Sequence, residues 1–177
     1  MPNRNQLQRQ LDSAFDNYLQ LTDLLRDDLN QMLDSEVNAQ HWRRNFVRAS
    51  VAMLEGHAYS LRQICVVALR CEAPSITGKE RRAIQEERAF DTNDRFKLTL
   101  RAAYKLHSFK PLPRFDGGEW RQACKLMRKR HRLMHPRNPR DLGMADSTWK
   151  SYKRSIVWLT RQFFLFLELL ARKHANS

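Results

Sequence analysis

The densest chemistry in this sequence lies in one stretch, Arg128-Lys129-Arg130-His131-Arg132-Leu133-Met134-His135-Pro136-Arg137-Asn138-Pro139-Arg140. His131 and His135 stand four residues apart, the spacing that puts two imidazoles on one helix face in the H-E-x-x-H zinc helix. Here Arg132 takes the place of the glutamate base, cations surround the pair, and no third ligand follows nearby, so no metal is expected. A plainer reading makes the stretch a basic helix end, where His135 and the arginines satisfy terminal carbonyls and complement the helix dipole. A third reading joins Arg130 to His135. A histidine with its ordinary pKa near ~6.5 can move a proton at neutral pH, and a guanidinium can hold phosphoryl oxygens through two donors. Together they are suited to moving a proton beside an anionic group. Pro136 biases His135 away from helical backbone angles, which would let its ring leave the helix axis.

The surroundings of the stretch are as unusual as its centre. Residues 101–140 carry 12 basic and 2 acidic groups, whereas residues 1–40 carry 3 basic and 7 acidic ones. A solvated helix face explains scattered lysines and arginines better than it explains this concentration. Arg128, Lys129, Arg132, Arg137 and Arg140 are therefore candidate nucleic-acid contacts. Glu55 is a second candidate of a different kind. It sits within an apolar stripe, one turn from Val51 and Tyr59, where a carboxylate needs a partner or a purpose. It could orient Arg130 through an ion pair, or it could be a boundary carboxylate bridged to Arg62 or Arg48. His41, His57 and His107 read as structural or exposed.

The elements that must position these residues are helices. Leu11, Phe15, Tyr18, Leu21, Leu25, Leu29 and Met32 recur at steps of three and four, which predicts a helix over about 5–33. Positions 38–70 carry a broader stripe around Trp42, Phe46, Met53, Leu61 and Ile64, as suits the centre of a bundle. Pro74 and Gly78 mark a turn, followed by a short charged helix over 79–88. Further helices are expected over 93–107 and 119–134, separated by the Pro- and Gly-bearing loop from Phe109 to Gly118. Asp146 or Ser147 is placed to cap a last helix through Leu170. No segment alternates as a half-buried strand does. The expected fold is an all-α, up-and-down bundle of five main helices plus a short one, in a single domain over 1–177.

Composition narrows the classes further. Only five glycines and six prolines occur in 177 residues, against a sandwich, a barrel or a disordered linker. Hydrophobic residues make up 42%, enough for a core, and the formal charge of +13 points to a polyanionic partner. Cys65, Cys71 and Cys124 form no C-x-x-C pair and read as reduced, mostly buried thiols of a cytoplasmic protein. The N-terminal residues lack the apolar core of a signal peptide. The longest apolar run, Ile156 to Leu170, is broken by Arg161, Gln162 and Glu168, so no membrane span is expected. Thr77-Gly78-Lys79 lacks the upstream glycine of a phosphate-binding loop, and the four tryptophans fall at core-like spacings.

Arg130-His131-Arg132-Leu133-Met134-His135, an R-x4-H pattern with a polar residue directly after the arginine, resembles the motif of the HEPN superfamily. These are small all-α domains that include many metal-independent endoribonucleases. The resemblance covers the motif, its place at the end of a bundle helix, and the helical pattern of the whole chain. It implies RNA as substrate, Arg130 and His135 as catalytic residues with His131 and Glu55 in support, and no cofactor. It also implies a homodimer whose two motifs share one cleft, and a role as a toxin or antiviral defence effector with an antitoxin or regulatory partner. The alternatives are a HEPN-like bundle that binds nucleic acid or a partner without cleaving, and a scaffold whose basic face meets an acidic protein.

Overall fold

The computed structural model describes residues 4–34, 39–70, 76–86 and 88–175. Six α-helices account for most of them: α1 (Arg4–Asp34), α2 (Gln40–Ala68), α3 (Gly78–Gln85), α4 (Thr92–Leu106), α5 (Gly118–Met134) and α6 (Asp146–Ala175). No strand occurs among the described residues, so the chain is an all-α bundle of five long helices and one short one. Pro74, Cys71 and most of the turn around them lie outside the described residues.

The broad stripe of α2 makes it the central helix, in contact with each of the other five. Its Phe46 meets Trp149 of α6 edge-on at 5.0 Å, and Phe96 of α4 meets Phe163 of α6 in the same way at 4.9 Å. Such offset aromatic pairs add to the burial of the rings themselves. The narrower seam of α1 lies along α2, where Gly56 permits the approach: a Cβ there would stand 3.0 Å from Leu25 Cδ1. His57 and Tyr18, both fully buried, join the two helices through a 3.0 Å hydrogen bond between the imidazole and the hydroxyl. Trp120 and Trp149 are buried and Trp42 and Trp158 half-buried, consistent with packing roles. His107 is buried as well, and His41 is exposed.

Local signals set the helix ends. Thr77 and Glu80 form a reciprocal capping box at the start of α3, at 3.2 and 2.7 Å. The helix stops at Gln85, three residues before the expected end, because Glu86 turns to extended backbone once Ala83 and Ile84 have been buried. Asp91 caps α4 by accepting from the Asp94 amide at 2.9 Å. At α6, Asp146 is already inside the first turn, and it pairs with the buried Arg43 of α2 in place of capping. Gln40 grips Met144 by both its carbonyl and its amide, at 2.8 and 2.9 Å. The start of α2 thus fixes the start of α6, and with it the connection that follows α5.

Candidate active site

The basic stretch occupies the last turns of α5 and the connection to α6. The helix ends at Met134, and His135 takes φ −131° and ψ 65°, outside helical geometry, as the following proline favours. Its amide still donates to the His131 carbonyl at 3.0 Å, so the residue stays attached to the helix end. The two rings come together, with centroids 5.2 Å apart and planes tilted by 54°. Both are exposed. Arg48 of α2 reaches across to the Leu133 carbonyl at 2.8 Å, satisfying one of the terminal acceptors of α5 and holding this end against the core.

Arg130 faces the other way, toward α2. Its Nη2 donates to Glu55 Oε2 at 3.1 Å, with the two side chains 30% and 35% exposed. Glu55 had three arginines within reach of its helix face. Arg48 is occupied at Leu133 and Arg62 donates to the Ile84 carbonyl at 3.2 Å, which leaves Arg130 as its partner. The pair stands in a cleft of about 330 Å³ between α2, α5 and the first turn of α4. Arg128, Arg132 and His131 line the same cleft, and Val51 and Met127 supply apolar wall. His135 is not part of that lining and meets it through the ring of His131.

The remaining cations divide. Arg128, Arg132, Arg137 and Arg140 are exposed. Lys129 instead turns toward the connection, where its ammonium donates to the carbonyls of Asp141 and Gly143 at 2.7 and 2.6 Å. Burial is the main cause that lowers its pKa. Asp141 completes this knot by accepting from the Arg137 amide at 2.9 Å, a bond that holds its carboxyl below the usual range. Lys129 therefore shapes the connection, and the exposed arginines present the charge.

Among the described residues no group of three or more His, Cys, Asp or Glu side chains converges as a metal site. No described helix is long and apolar enough to cross a membrane. Cys65 is buried and Cys124 half-buried, neither in a disulfide, and burial pushes both thiols up. Sequence reasoning did not find the third wall of the cleft, Asp91, Thr92 and Asn93. The only signal for it was the capping pattern that starts α4. Asn93 Oδ1 is buried there without a hydrogen-bond partner. No family model, curated protein or solved structure matches this chain. The arrangement is thus read on its own chemistry: a guanidinium steered by a carboxylate, two touching imidazoles beside it, and an arginine-rich rim.

Proposed function

We propose that the chain is a metal-independent endoribonuclease of HEPN type. The observation that carries this reading is Arg130, held by Glu55 in the cleft that His131 also lines, with His135 in ring contact at its edge. In the proposed reaction His135 takes the proton of a ribose 2′-hydroxyl. The freed oxygen attacks the adjacent phosphorus, and the bond from phosphorus to the 5′ oxygen breaks. That leaving oxygen takes a proton from water, giving a 2′,3′-cyclic phosphate and a 5′-hydroxyl. Arg130 holds the phosphoryl oxygens as negative charge builds on them. His131 steadies the ring of His135, and Arg128, Arg132, Arg137 and Arg140 attract the chain of phosphates.

Cleavage should proceed in EDTA and leave the cyclic phosphate. His135→Ala should abolish turnover with RNA affinity nearly intact, because one imidazole contributes little to binding. Arg130→Ala should abolish turnover and weaken binding slightly. Arg130→Lys should fail to restore activity, since a point charge lacks the planar pair of donors. Activity that demands a divalent metal, or that survives His135→Ala, removes the ribonuclease. The second reading is then a bundle that binds nucleic acid without cleaving it, favoured by the position of His135 outside the cleft lining. By the same resemblance the active form is a homodimer with a composite cleft, acting in the cytoplasm as a toxin or defence effector under a regulatory partner.

A further inference from the structure

A hollow of about 410 Å³ opens between α1, α2 and α6, and it shares no residue with the cleft at Arg130. Its volume falls within the roughly 300–1,000 Å³ of small-ligand pockets, which are mostly apolar with a few polar groups. Leu29 of α1, Phe46 and Met53 of α2, and Ile156 and Phe164 of α6 give it apolar walls. Leu29, Phe46, Met53 and Ile156 are buried core residues, so the hollow is an opening in the face of the core itself. Val157 stands in its wall at 69% exposed. From Lys153 to Phe164 the α6 wall runs about 16 Å, room for a chain of about ten carbons.

Three cations line the hollow, Arg26, Lys153 and Arg161, and no carboxylate does. Arg26 is already engaged by its own helix, with Asp23 at 3.0 Å and Asp27 at 3.9 Å. Lys153 lies over the Trp149 ring, 5.2 Å from its centroid, a contact that leaves its charge without a counter-ion. Arg161 is exposed and forms no hydrogen bond or ion pair among the described residues. Lys153 and Arg161 are eight residues apart, about 12 Å along α6, with Val157 midway. An apolar hollow edged by two uncompensated cations complements a molecule with an apolar body and an anionic head. A neutral or cationic amphiphile would leave those charges unanswered.

We propose that the hollow between α1, α2 and α6 binds a free amphipathic acid, a carboxylate with a medium-length hydrocarbon tail. The site does not depend on the ribonuclease reading. Calorimetric titration of the full chain at physiological salt, with sodium decanoate below its micellar concentration, should show one saturable site. From hexanoate through octanoate to decanoate the affinity should rise about two- to fourfold per CH₂, as the tail fills the apolar wall. Decyltrimethylammonium, with the same tail and the opposite charge, should bind more weakly. Val157→Asp places a carboxylate beside the tail and should lower decanoate affinity at least about 10-fold. Lys153→Gln combined with Arg161→Gln should lower it about 3- to 30-fold. All three positions are exposed, so the melting temperature should hold in these variants. Absence of a saturable site overturns the proposal, as does affinity indifferent to tail length or to Val157→Asp, the mark of an anion on the basic stretch. Val157-dependent self-association in sedimentation, or Val157-dependent binding to phosphatidylglycerol vesicles, in place of decanoate binding would give the hollow another occupant and equally overturn it.

Discussion

The ion pair between Glu55 and Arg130 is about a third exposed on both sides. A pair so placed contributes roughly 0–1 kcal/mol to stability, because water screens the attraction and two side chains lose freedom. In the proposed reaction its consequence is larger, because a guanidinium misplaced by about 1 Å can cost about 100-fold in rate. Glu55→Gln is therefore expected to shift the melting temperature by no more than about 4 °C. The same substitution should lower kcat about 10- to 100-fold, through an Arg130 that is no longer held. A large loss of stability with unchanged turnover would make Glu55 a purely structural residue. Lys129 makes the opposite case. Its ammonium is bonded to two carbonyls of the connection, so Lys129→Met should destabilise that connection while leaving the salt dependence of RNA binding as it is.

Among elements, the junction of α1, α2 and α6 depends on one titratable group. His57 of α2 is fully buried, bonded to Tyr18 of α1 and stacked on Phe163 of α6 with ring centroids 5.0 Å apart. Phe164 is its other aromatic neighbour. Desolvation lowers its pKa from 6.5 to about 4. The folded state therefore keeps the ring neutral over a range where the unfolded chain would protonate it. Stability from this site is complete above the unfolded value, falls as pH drops from 6.5, and levels off below about 4. The total loss is on the order of 3 kcal/mol. Chemical denaturation from pH 7 to pH 4 should show this decline, and His57→Gln, which cannot titrate there, should flatten it. A decline of equal size in the variant would place the effect elsewhere.

For the whole molecule, the uneven charge matters more than its sum. The N-terminal 40 residues are net acidic, while the formal +13 of the chain is concentrated near α5 and the connection that follows it. With Lys129 withdrawn, four exposed arginines of the stretch remain: Arg128, Arg132, Arg137 and Arg140. If each contacts one phosphate of a single strand, the logarithm of the affinity should fall with the logarithm of salt at a slope of about −3. Titrations between low and physiological salt measure it, and a flat response would exclude an electrostatic footprint. The proposed composite cleft requires a second copy, so sedimentation at micromolar concentration should give twice the chain mass. A fully active monomer would count against the shared cleft.

The helices were legible because their signal is local. Steps of three and four along α1, α2 and α6 follow from the turn of the helix itself, and Pro136 stops α5 whatever packs around it. The breadth of the α2 stripe foretold its central place, and an isolated carboxylate in that stripe demanded a partner. Which partner it took was a tertiary decision. Arg48, Arg62 and Arg130 were equal in the sequence until α5 lay across α2 and the first two were engaged by carbonyls of Leu133 and Ile84. Lys129 likewise read as one more surface cation until the connection folded back over it. The cleft at Arg130 left no trace in the order of residues, because its walls come from α2, α4 and α5. Spacing along one helix fixes which residues share a face. Only the rotation and approach of neighbouring helices decide what that face meets.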